Sequence, residues 1–154
     1  MRMDVRSAIK KSTIFCMAGE IFVDTSGFYA LLVKRDEQHA IASRILHQSA
    51  GQHRRFVTSD YVLDETFTLL KARGHRRVIG AFADSVFKSK ACRVEWIDSA
   101  RFSATIEFFL KRLDQEWSFT DCVSFRLMTE LRLHEALTKD AHFEAAGFVA
   151  LLKN

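Results

Sequence analysis

The chain has 154 residues, 48% hydrophobic and 27% charged, which is enough for one domain with a real core and too apolar for a disordered chain. A net charge of +4 and a pI near 9.1 permit a polyanionic partner without demanding one. No apolar run is long enough to span a bilayer, and three scattered cysteines (Cys16, Cys92, Cys122) without a CxxC pattern read as small buried hydrophobes in a reducing cytosol, not as a zinc site.

Lys10 and Lys11 precede the short apolar run Ile14 to Ala18, a faint likeness to a signal peptide that Glu20 interrupts. Residues 1–16 are therefore expected to be a leader or extension, and residues 17–154 a cytoplasmic folded domain. The run Ile21-Phe22-Val23 predicts a strand buried on both faces, ending in Asp24-Thr25-Ser26. A helix follows through Phe28 to Val33, and another over Asp36 to Gln48 with Gly51 as its stop. Arg55 to Thr58 is a short strand, after which Ser59 or Asp60 caps a helix that runs to Gly74. Val78, Ile79, Phe82 and Val86 mark the next helix. Alternation over Cys92 to Ile97 gives a third strand. Asp98 or Ser99 opens a long helix bearing Phe102, Ile106, Phe109 and Leu113, and Ser118 starts another. Ala136 to Thr138 is a strand, residues Ala141 to Ala146 make a turn of helix, and Phe148 to Leu152 is the last strand. Strands alternating with helices imply an α/β fold with a mostly parallel sheet and helices on both faces.

Four acids stand at a strand's carboxyl end or at the helix start beside it: Asp24, Glu65, Asp121 and Asp140. In a parallel sheet those ends share one edge, where ligands bind. Thr25, Ser26, Thr120 and Thr138 accompany them. Each acid alone has a plainer role. Asp24 and Asp140 suit helix caps, Ser118-x-x-Asp121 matches a capping box, and Glu65 suits a solvated helix face. Together they repel one another unless a proton or cation intervenes. Oxygen ligands without His or Cys favour Mg²⁺ or Mn²⁺, and such an ion can activate water and stabilise an in-line displacement at phosphorus. The six His show no ligand spacing, and His142 reads as a surface residue. The Phe-rich helical stripes read as core. Lys34, Arg35, Lys71, Arg73, Arg76 and Arg77 read as solvated helix ends or as phosphate contacts.

The segments Ile21 to Ser26, Val62 to Thr66, Ser118 to Cys122 and Leu137 to Phe148 resemble the PIN-domain family, and within it the VapC-type toxin ribonucleases. The resemblance covers roughly residues 20 to 152. It implies a three-layer α/β/α fold with a five-stranded sheet of order 3-2-1-4-5. It implies a site in which Asp24, Glu65, Asp121 and Asp140 bind Mg²⁺ or Mn²⁺, with Thr120 as the hydroxyl beside the third acid. The activity implied is metal-dependent endoribonucleolytic cleavage by the toxin of a toxin–antitoxin pair. The partners implied are RNA, a small antitoxin and a second copy of the chain. Phe28, Tyr29, Leu70 and Val78 are the apolar positions expected at that dimer surface. A non-cleaving RNA-binding PIN module is the alternative. A phosphatase is disfavoured, because Thr25-Ser26 follows Asp24 and no second acid stands two residues on.

Overall fold

A computed structural model describes residues 19–153. The leader, the Met17 boundary and Cys16 lie outside the described residues. Twelve elements follow one another in the order strand β1 (Ile21–Val23), helices α1 (Thr25–Leu32) and α2 (His39–Gly51), strand β2 (Phe56–Ser59), helices α3 (Asp60–Ala72) and α4 (Arg76–Lys88), strand β3 (Cys92–Glu95), helices α5 (Ser99–Leu110) and α6 (Phe119–Glu130), strand β4 (Glu135–Leu137), helix α7 (Ala141–Ala145) and strand β5 (Val149–Ala150).

The five strands form one sheet of order β3-β2-β1-β4-β5, and every neighbouring pair is parallel. Phe22 stands opposite Val57 on one side and Ala136 on the other, so β1 is the central strand. All three of its residues are buried. Successive side chains point to opposite faces, so both faces of the sheet are covered by helices, which is what an unbroken apolar strand demands. Phe22, Val23, Val57, Val62, Leu70, Leu137 and Phe143 belong to one continuous core.

The carboxyl ends of β2, β3 and β4 open into helices begun by a side-chain cap, whereas α1 begins after Asp24 without one, so Asp24 does not cap it. The Ser59 hydroxyl accepts from the Val62 amide and begins α3, so Ser59 is the cap and not Asp60. Asp98 caps α5 through the Arg101 amide. Helix α1 lies so close to β4 that a Cβ on Gly27 would overlap the carbonyl oxygen of Leu137. That contact locks the residues after Asp24 to the end of β4.

Three expectations need correction. Phe28 and Leu70 are core residues, not interface candidates, because α1 and α3 pack on each other and on the sheet; Tyr29 and Val78 are half-buried. The Phe-rich stripe of α5 is only partly core. Thr105 is buried and Phe108 and Phe109 are half-buried, but Ile106 and Leu110 are exposed, and so is Phe102 although its ring touches Phe119 of α6. Strand β3 stops at Glu95, since the Ile97 amide turns away to donate to Asp60 Oδ1 and Trp96 faces solvent. Among the described cysteines, Cys122 is buried and Cys92 half-buried, and both are free.

Candidate active site

Asp24 follows β1 at the centre of the sheet's carboxyl edge and is buried, 7% exposed. Two hydroxyls meet its Oδ2: Thr138 donates at 3.0 Å and Ser26 lies at 3.4 Å. Burial pushes the Asp24 carboxyl up to about 6. The Thr25 amide and the Thr138 hydroxyl pull it back, and the charges of Asp121 and Glu65 add to the rise. Glu65, on the second turn of α3, is also raised, first by burial and then by the charge of Asp121. The hydroxyls of Thr25 and Thr120 oppose that rise, and the charge of Asp140 adds to it. The four acids therefore feel one another across four separate segments of chain.

Asp121 and Asp140 meet more closely. The Asp121 carboxylate closes the capping box of α6: its Oδ2 accepts from the Ser118 amide at 3.0 Å, and the Ser118 hydroxyl accepts from the Asp121 amide at 3.0 Å. Asp140 caps α7 by accepting from the His142 amide at 2.8 Å through Oδ1. The His142 ring lies between the two acids, with Nδ1 3.2 Å from Asp121 Oδ2 and 3.5 Å from Asp140 Oδ1. His142 is thus not a bystander on the surface. Its nearest partner is 21 residues away in sequence, so no spacing rule along the chain would have found it.

A pattern joins three of the acids. Asp24 and Asp121 each commit Oδ2 to donors of this chain, and Asp140 commits Oδ1. The other oxygen of each receives no side-chain hydrogen bond among the described residues. Asp24, Glu65 and Asp140 line one cavity of about 280 Å³, shared with Thr25, Ser26, Tyr29, Asp36, Leu69, Arg73 and Lys139. Thr25 is 5% exposed, and its hydroxyl stands near Glu65 without closing a well-formed hydrogen bond.

The donor set fits a divalent cation. One oxygen of Asp121, one of Asp140 and a ring nitrogen of His142 lie within 4.8 Å of one another. Asp24 and Glu65 supply two further carboxylates from the adjacent strand end and helix. Carboxylate oxygens suit Mg²⁺ and Mn²⁺, and a neighbouring imidazole extends the range toward softer ions.

Positive charge rings the same mouth. Arg73 and Lys139 line the cavity, and Lys139 Nζ stands 3.9 Å from Asp36 Oδ2. The Tyr29 hydroxyl is 3.1 Å from His75 Nε2, which ties α1 to the start of α4. Asp36 and Tyr29 were not among the acids and hydroxyls that sequence reasoning gathered. They reach the site through the turn and helix packed beside β1. A larger cavity of about 560 Å³ lies between α5 and α6, lined by Arg101, Thr105, Arg126 and Glu130 among others, and none of the four acids touches it.

A parallel sheet of order 3-2-1-4-5 with an acidic cluster at its carboxyl edge defines the class. The PIN-domain family model matches residues 21–149, and the chain belongs to that family. It is a VapC-type member by its relatives. It is 37% identical over 130 residues to the 23S rRNA-specific endonuclease VapC20 of Mycobacterium tuberculosis (strain ATCC 25618 / H37Rv), which covers 84% of this chain and 95% of that protein. A VapC ribonuclease of Archaeoglobus fulgidus is 26% identical over 123 residues, 79% of this chain and 77% of that one. The crystal structure of M. tuberculosis VapC20, titled a sarcin-ricin loop cleaving toxin, superposes with a TM-score of 0.75 at 35% identity. It covers 84% of this chain and 97% of that one.

Proposed function

We propose that this chain is a divalent-metal-dependent endoribonuclease and the toxin of a toxin–antitoxin pair. The single observation that carries the reading is the cavity onto which Asp24, Glu65 and Asp140 converge, with Asp121 and His142 beside it. Asp24, Glu65, Asp121 and Asp140 would hold Mg²⁺ or Mn²⁺, and Thr120 would orient Glu65. The ion supplies positive charge for the oxygens of the reacting phosphodiester and activates water there. What the chain itself contributes is position. The fixed cap of α6 holds Asp121, the Thr138 hydroxyl holds Asp24, and the buried cavity wall limits water. Arg73 and Lys139 would bind substrate phosphates at the rim, which aligns RNA without reading its sequence.

The relatives' names point to the RNA to test first, the sarcin–ricin stem-loop of 23S rRNA. A small antitoxin would block the acidic cavity with a basic side chain, and a second copy of the chain would pair through the half-exposed face carrying Val78 and Ile79. A cytoplasmic location agrees with the absence, among the described residues, of any helix long and apolar enough to cross a membrane.

Cleavage of that stem-loop and of single-stranded RNA, with and without Mg²⁺, tests the reading. Asp24→Asn and Asp121→Asn should each abolish metal-dependent cleavage while circular dichroism stays native. Full activity in both variants would remove the assigned site. Tight RNA binding with no cleavage under any metal would favour the non-cleaving module.

A further inference from the structure

Thr138 ends β4, is fully buried, and touches both ends of the acidic cluster. Its hydroxyl donates to Asp24 Oδ2 at 3.0 Å, and the same oxygen accepts from the Asp140 amide at 3.0 Å. Ser26 Oγ lies 3.0 Å from Thr138 Oγ1, and Ser26 in turn accepts from the Lys139 amide at 3.1 Å. Donor counting fixes the direction of this chain. An ionised carboxylate only accepts, so the one hydrogen of Thr138 goes to Asp24. Thr138 then accepts from Ser26 at 3.0 Å, a shorter contact than the 3.4 Å from Ser26 to Asp24 Oδ2, and the lone pair of Ser26 takes the Lys139 amide. Every donor in the relay, two backbone amides and two hydroxyls, therefore points toward a single oxygen of Asp24.

We propose that Thr138 is the positioning residue of the site: it holds Asp24 by Oδ2 so that the carboxylate's other oxygen faces the cavity, and through the Asp140 amide it keeps the ends of β1 and β4 at a fixed separation. The proposal rests on the metal-site reading above and deepens it. Neighbouring strands β1 and β4 are in register at Val23 and Leu137, one residue before each partner, so the relay extends the sheet's own alignment into the site. Carboxylate ligands held by such outer hydrogen bonds lose metal affinity when the donor is removed, typically by about 10- to 100-fold.

The test is Mn²⁺ affinity, measured by electron paramagnetic resonance on the full chain, with Asp24→Asn as reference. Thr138→Val keeps the shape and removes the hydroxyl; it should weaken Mn²⁺ binding by about 10- to 100-fold. Thr138→Ser should restore affinity to within about threefold, a fraction of that loss. RNA affinity measured in EDTA should not change in either variant. Ser26→Ala, which cuts the relay one step further out, should weaken Mn²⁺ by a smaller factor and stands in if Thr138→Val does not fold. Unchanged Mn²⁺ affinity in Thr138→Val or in Ser26→Ala would overturn the proposal. So would a Ser variant as weak as Val, or a parallel loss of RNA affinity, which would mark general damage. If Asp24→Asn itself binds Mn²⁺ as the wild type does, the assignment of Asp24 to the metal fails. If Asp24→Asn loses the ion and Thr138→Val keeps it, only the role of Thr138 fails.

Discussion

His142 Nδ1 lies 3.2 Å from Asp121 Oδ2, joining the first turn of α7 to the first turn of α6. Two ionised carboxylates beside it only accept, so Nδ1 carries the hydrogen and the ring partly screens two acids that would otherwise repel. His142→Ala should therefore cost the metal-free protein about 0.5–1 kcal/mol, less than is usual for a hydrogen bond to a charged group, because the ring is partly solvated. Mn²⁺ should then stabilise the variant more than the wild type, since the cation takes over the lost screening. Thermal melts with EDTA and with saturating Mn²⁺ check both signs. An equal metal-induced shift in the two proteins would count against the screening role.

The raised carboxyl of Asp24 sets a pH dependence. Burial raises it in the folded protein to about 6, above the ordinary value of 3.8. Between those values the native state binds more protons than the unfolded state, so stability falls as pH rises through that window. In EDTA the protein should be more stable near pH 5 than near pH 7.5, with Asp24 contributing about 1.4 kcal/mol of the difference. The raised Glu65 adds to the effect in the same direction. Asp24→Asn should flatten most of this slope, and urea melts across the range measure it. A slope of the same size in Asp24→Asn would place its origin elsewhere.

Arg73 lines the acidic cavity, and Lys71 lies two residues before it on the last turn of α3. If both meet phosphates, Lys71→Ala with Arg73→Ala should weaken RNA binding and make the logarithmic salt slope shallower by about one to two. Fluorescence anisotropy with a non-cleaved RNA between low and physiological salt reads both. An unchanged slope would leave this edge as solvated surface.

Gly27 tests how tightly the site is keyed to the sheet. Any Cβ there meets the Leu137 carbonyl oxygen and the leucine side chain beyond it. Gly27→Ala should destabilise by about 1–3 kcal/mol, as overpacking does. It should also lower cleavage beyond what the lost stability explains, because α1 must shift away from β4 and carry Ser26 with it. Activity per folded molecule, taken well below the melting temperature, separates the two effects.

The alternation of strands and helices and the place of the four acids beside the strand ends were legible in the sequence, for particular reasons, and the sheet order followed from the family resemblance. Ile21-Phe22-Val23 has no polar break, so it had to be central, and the acid that ends it had to sit on the binding edge. Asp121 was half-hidden behind its capping box. The cap occupies Oδ2, so it leaves Oδ1 open to the proposed ligand role. His142 and the hub role of Thr138 were not legible, because each depends on contacts spanning 21 and 114 residues respectively. Phe28 and Leu70 were misplaced because helical periodicity shows which face is apolar but not whether a second helix covers it.

Strand β1 is the first strand the ribosome delivers, and its partner β4 comes after three helical pairs and two other strands. One flank of β1 can pair with β2 early; the other stays open until Glu135–Leu137 emerges. Contacts so distant along the chain close late and slowly. A growing polypeptide therefore carries Asp24 for most of its synthesis without Thr138, Asp140 or His142 to complete it. The acidic edge is therefore completed only when β4 and α7 join the sheet, at the end of folding.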